Sequence, residues 1–564
     1  MRHLPPRVCA YVVCACVIGL VVLLGATACA STPRGRPAFT VVEASIPEMQ
    51  RALEEGRTTS RQLVEAYLMR IALYEETLNA TMAVNPRALE VADSLDRERA
   101  AGRVRGPLHG IPIALKDNIH TTDLPTTGGA LAFDGFVPPY DATLTRNLRD
   151  AGAIILAKTV MTELANYIAD GMPGNYSALG GFGMNPYDPR RDPRPDFDDG
   201  RPVLGTGGSS SGIGTAASLW AANVGTETSG SILSPANANM LVGIKPTVGR
   251  VSRWGVIPIT ADQDTPGPMA RTVTDAAILL GVLEGSGADS NDPATTTCTP
   301  PPGSDYTPFL RADGLRGARI GIPRANYYEP ILLPGESARR GGLPPERQAV
   351  MSEVIAILRR EGATVVDPAD VPSVVDPDPS ENLLLAGGGS TVLSYGMKRD
   401  FNAWLATLGT GAPVRTLTEL REWNLAHTRA GSLAYGQAVL DRADARSLDG
   451  TDRERYLADR ASDLHLTAEH GIDEVITALD LDALLFPAVA GANLSARPGY
   501  PTVAVPYTRV RAAPDPAFPS GFEPEPAPMG VSFAGRACSE PRLIEIAYAF
   551  EQATRGRVPP PFAP

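Results

Sequence analysis

Two serine clusters set between glycines are the residues of this chain best suited to nucleophilic chemistry. Gly207-Gly208-Ser209-Ser210-Ser211-Gly212 and Thr226-Glu227-Thr228-Ser229-Gly230-Ser231 both lie within the stretch 205–249. Small neighbours let backbone N–H groups and a substrate approach a serine hydroxyl closely. Such a hydroxyl attacks poorly until a base takes its proton, so the question is which residue supplies the base. Upstream, Ile111 to Leu115 reads as a short buried strand with Lys116 at its C-terminal end, the edge at which α/β sheets bind ligands. A lysine directly after an apolar strand is partly desolvated, which favours its neutral form. Taken alone, a lysine snorkelling to the surface explains the same pattern.

Other motif matches fail on their companions. Gly208 to Gly212 fits G-x-S-x-G, the nucleophile turn of α/β-hydrolases. That chemistry needs a downstream acid and histidine, and none of His427, His465 and His470 sits in a recognisable loop motif. Gly205 to Gly212 has the glycine content of a phosphate loop but lacks the Lys-Ser/Thr that must follow. Six histidines and no paired-cysteine spacing argue against a metal site. His109 and His120 flank Lys116 and are expected to hydrogen-bond locally.

What remains is Lys116 paired with the two clusters. The run Leu108-His109-Gly110-Ile111-Pro112-Ile113-Ala114-Leu115-Lys116-Asp117, the two serine clusters and Gly243-Ile244-Lys245-Pro246 together resemble the amidase signature family, over residues 45 to 556. Gln263-Asp264-Thr265-Pro266-Gly267-Pro268-Met269-Ala270-Arg271 adds the texture of its bacterial peptide amidases. The resemblance implies an α/β fold, a single large domain with a mixed β-sheet core covered by helices. It implies a Ser-Ser-Lys triad: Ser231 as nucleophile, Ser209 as a relay serine held by a cis peptide bond, and Lys116 as base. The N–H groups of Thr228, Ser229, Gly230 and Ser231 are then the natural oxyanion hole, and Ser210 orients Ser209. Three departures stand out. The Ser209–Ser231 separation is a couple of residues shorter than usual, Ser229 stands where glycine is common, and Leu233 replaces a frequent arginine, so an ion pair behind the site is expected to be missing.

The implied activity is hydrolysis of a carboxylic amide through an acyl-enzyme, without metal or cofactor. The substrate would be a small-molecule or peptide amide, C-terminal peptide amides by subgroup analogy, with aryl or fatty acylamides as the alternative. The A subunit of glutamyl-tRNA amidotransferase shares the signature, but it works with tRNA and cytoplasmic partners. A surface-anchored binding protein on an inactive amidase scaffold is the non-enzyme alternative, disfavoured by retention of all three triad residues.

The elements that must position these residues follow the α/β rhythm. Ser45-Ile46-Pro47-Glu48 is a capping box that starts a helix, and a second helix begins at Ser60 with Leu63, Val64, Tyr67, Leu68 and Ile71 on one face. A helix is expected from Asp141 to Ala151, a strand from Ile154 to Ala157, and the start of another helix at Thr162 to Ala165. Asn185 to Pro202 is a polar loop expected at the substrate entrance. Helices are expected at Pro345 to Arg360 and Glu540 to Thr554, and core strands at Ala483 to Val489, Thr502 to Pro506 and Met529 to Phe533. The region 371–470 reads as a helical cap or insertion, within a domain spanning 45–557.

A formal charge of -12 argues against a nucleic-acid partner. Arg2 and Arg7 precede an uncharged apolar run from Val8 to Gly25, followed by small residues and Cys29. Residues 1–29 therefore read as a signal segment of lipoprotein type with Cys29 as the acylated residue, or a plain cleaved signal, or a retained membrane helix. All three export the main domain, with 30–44 as a tether and the membrane as partner if the anchor is acylated. Cys298 and Cys538, the two cysteines beyond this segment, could pair in an oxidising compartment or remain two unrelated thiols. The sequence does not fix the oligomeric state.

Overall fold

The computed structural model describes residues 39–563, apart from 387, 512, 513 and 515. The apolar N-terminal run and Cys29 lie outside the described residues.

Eleven strands form one sheet. In chain order they are β1 (Thr81–Val84), β2 (Pro112–Lys116), β3 (Ile154–Thr159), β4 (Ala222–Glu227), β5 (Val242–Lys245), β6 (Thr265–Ala270), β7 (Arg319–Gly321), β8 (Thr364–Val366), β9 (Ala483–Pro487), β10 (Thr502–Val510) and β11 (Ala527–Ala534). The spatial order is β1-β3-β2-β4-β6-β5-β10-β11-β9-β7-β8. The sheet is mixed: β2 is parallel to both β3 and β4, whereas β6 runs antiparallel to β4 and β5. Every residue of β2, β3, β4, β5 and β6 is buried, as expected of strands covered on both faces. This is the mixed sheet under helices that the motifs imply.

Helix boundaries follow local chemistry. Ser45 and Glu48 form the reciprocal capping box, and helix Ile46–Glu54 follows. Thr59 and Gln62 form a second box before helix Ser60–Leu78, which ends on Asn79 in a left-handed conformation. Helices Pro345–Arg360 and Glu540–Thr554 run over the expected residues. The helix expected from Thr162 is instead a 3-10 turn, Glu163–Asn166, with Leu164 and Ala165 at φ +45° and +57°. Tertiary bonds override the local pattern there: Leu164 N–H donates to Gly128 O (2.8 Å), and Thr162 N–H to Ser209 O (3.2 Å).

The connection between the serine clusters is tight. Helix Ile213–Ala216 is only four residues long, and Ser218 turns the chain at φ +53° before β4. Trp220, fully buried, donates its indole N–H to Thr215 Oγ1 (2.8 Å) and lies so close to Gly214 that a Cβ there would come within 2.1 Å of the ring. Buried Arg271 ties off the turn by donating to the carbonyls of Thr215, Trp220 and Ala44.

A second apolar cluster lies apart from the main core. Phe401, Trp404, Leu405, Leu417 and Leu440 pack there against Phe133, Leu164 and Ile257. It joins helices Val392–Thr407 and Leu417–Ala426 to loops bordering the β2 and β4 ends.

Candidate active site

Lys116 closes β2 and is fully buried. Its register neighbour β4 brings Thr226 alongside, so Nζ lies 2.8 Å from Thr226 Oγ1, 3.2 Å from Thr226 O and 2.8 Å from Ser209 Oγ. Hydroxyls and a carbonyl surround the amine, and among the described residues no carboxylate touches it. Burial therefore wins over the more distant charges of Asp264 and Glu227, and the ammonium pKa falls from its usual 10.5 to about 7. Asn118 Nδ2 donates to the same Thr226 hydroxyl (3.0 Å), fixing it from the far side.

Ser209 and Ser210 are buried. Ser210 Oγ donates to Thr226 O (3.0 Å) and accepts from Thr226 N–H (3.2 Å), stitching the first cluster to β4. The cis bond implied at Ser209 is not there: among the described residues the cis peptide is Asp367–Pro368. Gly207 makes the sharp turn instead, at φ +91°, where a Cβ would lie 2.4 Å from Pro235 N. The Ser209 hydroxyl reaches Lys116 Nζ at 2.8 Å without the cis bond.

Ser231 is nearly buried and packs directly on the first cluster. Ser210 N–H donates to Ser231 O (3.2 Å), and a Cβ on Gly208 would meet Ser231 Cα at 3.1 Å. The turn 228–231 is held by Glu227, whose carboxylate accepts from the N–H groups of Gly230 (2.7 Å), Ile232 (2.7 Å) and Leu233 (3.0 Å). This corrects the expected oxyanion hole. The Gly230 N–H points at a carboxylate and is already committed, leaving Thr228, Ser229 and Ser231, whose N–H groups have no acceptor among the described residues. It also explains how Leu233 is accommodated: three backbone donors, not an arginine, satisfy the carboxylate. The extra side chain at Ser229 points outward, toward Asn493 (3.5 Å).

Thr228 itself is gripped from the loop before β6. Its hydroxyl donates to Asp264 Oδ1 and its carbonyl accepts from Gln263 Nε2 (3.1 Å). Asp264 is in turn fixed by the N–H groups of Ile259 (2.8 Å) and Thr260 (2.9 Å). Burial pushes its carboxyl pKa up to about 6. Asp264 borders two cavities. One is water-sized, about 10 Å³, and is bounded also by Asn118, Thr226 and Thr228; the other, of about 330 Å³, is walled by Tyr140, Trp254, Asp400 and Trp404. From the long polar loop, Arg190 and Arg194 stack on Phe522 and Phe518, Asp199 accepts from Tyr435 Oη (2.6 Å) of the 371–470 region, and Asn185 Nδ2 donates to Gly205 O at the start of the serine stretch.

The histidines keep away from the serines. His427 stacks on Trp423, His465 pairs with Glu381 and Glu469, and His470 pairs with Asp376 and Glu474. His109 bonds Leu95 O. His120 accepts from Trp404 Nε1 (2.9 Å), and burial pushes its pKa down to about 3. Among the described residues no three His, Cys, Asp or Glu side chains gather to hold a metal. Cys298 and Cys538 form a disulfide beside the loop after β5, where Cys538 N–H donates to Thr247 Oγ1 (2.8 Å).

Thr226, Asn118, Glu227 and the Gln263–Asp264 pair enter this site through contacts that residue type and spacing alone do not reveal. A glutamate and two threonines in an otherwise small, buried strand end were the available signal.

This sheet, with a buried lysine set against the first glycine-flanked serine cluster, is the framework of an amide-hydrolysing enzyme. The family model Amidase matches residues 62–544, and the chain belongs to the amidase signature family. A probable amidase of Arabidopsis thaliana is 36% identical over 543 residues, covering 94% of each chain. The structure of a peptide amidase from Stenotrophomonas maltophilia superimposes with a TM-score of 0.77 at 38% identity, over 93% of this chain and 99% of that one. The A subunit of glutamyl-tRNA(Gln) amidotransferase from Thermosynechococcus vestitus is 32% identical over 536 residues, 90% of this chain and 98% of its own.

Proposed function

We propose that this enzyme is an exported amidase that hydrolyses carboxylic amides, C-terminal peptide amides among them, by acyl-enzyme chemistry. The observation that carries the reading is the contact of 2.8 Å between a buried, uncompensated Lys116 Nζ and Ser209 Oγ. Neutral Lys116 takes the Ser209 proton as Ser209 takes that of Ser231, whose oxygen attacks the carbonyl carbon. The charge that develops on the carbonyl oxygen meets the N–H groups of Thr228, Ser229 and Ser231. Lys116, now charged, returns a proton through Ser209 to the departing amine, and water releases the acid by the same steps. The likeness to a peptide amidase supports a peptide amide as substrate. The helices within 371–470, which wall the larger cavity with Asp400 and Trp404, serve as the cap that selects it.

Labelling with a fluorophosphonate followed by peptide mapping tests the assignment. Modification of Ser231 and release of ammonia from a peptide amide are expected; modification of Ser210 instead would refute it. Export rests on the apolar N-terminal run and on the disulfide, a bond that persists in oxidising compartments. Acylation at Cys29 would add a membrane anchor. If Cys29→Ser leaves membrane fractionation unchanged, the anchor is wrong.

A further inference from the structure

An oxyanion hole made of backbone N–H groups works only if each peptide plane is fixed before charge develops. In a trans peptide the carbonyl of one residue and the N–H of the next point in opposite directions across a rigid plane. Whatever holds the carbonyl therefore aims the N–H. The plane joining Ser229 to Gly230 is set by Glu227, which takes the Gly230 N–H. The plane joining Thr228 to Ser229 has a different anchor, the Gln263 side-chain amide on Thr228 O (3.1 Å). Gln263 is buried, and the Thr228 oxygen is an acceptor only, so the contact requires the NH2 face of the amide.

We propose that Gln263 and Asp264 are the positioning residues of the oxyanion hole: Gln263 fixes the peptide plane that aims the Ser229 N–H, and Asp264 holds the Thr228 side chain through its hydroxyl. Consecutive residues thus grip one threonine by its carbonyl and its side chain. Their own loop is anchored in turn. Asp264 accepts from Ile259 and Thr260 N–H, and Asp262, the residue before Gln263, is held by Arg399 (3.0 Å) and by Tyr456 Oη (3.0 Å). Ala261 N–H donates to Asp400 (2.7 Å). The helical layer over the site is therefore braced against the loop that orients the oxyanion donors. The inference rests on the catalytic reading above, in which Ser231 attacks.

Gln263→Glu keeps the shape, removes the donor and sets a second acceptor against Thr228 O. Its kcat is expected to fall ~100-fold, the scale of losing one oxyanion donor, with KM within about threefold. A peptidyl aldehyde, which forms a charged hemiacetal with the nucleophile, separates positioning from general damage. Its Ki should rise at least ~30-fold, while the Ki of the corresponding alcohol, which forms no oxyanion, stays within about threefold. Thr228→Val, which only removes the hydroxyl from Asp264, and Asp264→Asn should show smaller losses of the same kind. The two should be non-additive when combined. Equal weakening of aldehyde and alcohol, or a kcat within about threefold in both Gln263→Glu and Thr228→Val, would overturn the proposal. If the fluorophosphonate does not label Ser231 in the unmodified enzyme, the catalytic reading has failed and not this one.

Discussion

Two lysines on neighbouring strands are buried equally and partnered differently. Lys116 ends β2 and Lys158 lies in the parallel strand β3, beside Leu115 in the register; neither is exposed. Lys158 faces the Asp117 carboxylate at 3.3 Å and donates to Thr126 Oγ1 (2.8 Å) and Pro125 O (3.1 Å). Burial disfavours both charges of this pair, and their mutual attraction opposes that. Lys116 has hydroxyls where Lys158 has a carboxylate. Burial then acts unopposed by any contact charge, and the amine titrates near neutrality. The two differ in partner and not in depth: neutral oxygens surround Lys116, and a carboxylate lies beside Lys158.

That contrast can be broken by substitution. Lys116→Met should reduce kcat/KM by ~10⁴-fold or more while leaving the melting temperature close to that of the parent, because no charge is left unpaired. Lys158→Met should do the reverse. It strands Asp117 in the core, so a loss of about 3–5 kcal/mol in denaturant unfolding is expected, and adding Asp117→Asn should restore part of it. Thr226→Asp gives Lys116 the partner that Lys158 has. Activity at neutral pH should collapse, and the acid limb of the rate profile should move up by about a unit or more. In the proposed mechanism the working form of Lys116 is the neutral one. kcat/KM should therefore rise about tenfold per pH unit below a pKa of about 7 and level off above it. The smallest effect belongs to His427→Ala, His465→Ala and His470→Ala. Each should leave kcat within about twofold, since these rings bond only their own neighbourhood.

The sequence carried the architecture where one pattern had one explanation. The capping box at Ser45, the helix start at Ser60, the apolar run into Lys116 and helix Glu540–Thr554 all rest on local signals that the tertiary structure does not contest. It failed at Thr162, where backbone bonds to Gly128 and Ser209 pull the chain out of a helix its composition would allow. In the site, residue types and motif order single out Lys116, Ser209 and Ser231 as candidates, and the structure brings the first two within 2.8 Å of each other. Which N–H groups are free was not legible, because that depends on where one carboxylate, Glu227, places its two oxygens. Nor could spacing reveal that Gln263, thirty-five residues from Thr228, reaches its carbonyl.

The disulfide joins positions 240 residues apart. It encloses β7 to β11 and the helical layer in a single covalent ring. A protease that cuts one exposed loop inside that ring releases no fragment: the nicked protein should run as one band until a reductant is added, then as two. The ring also cannot close until residue 538 has been made, so oxidation comes after synthesis of every strand of the sheet and can serve as a late mark of its completion.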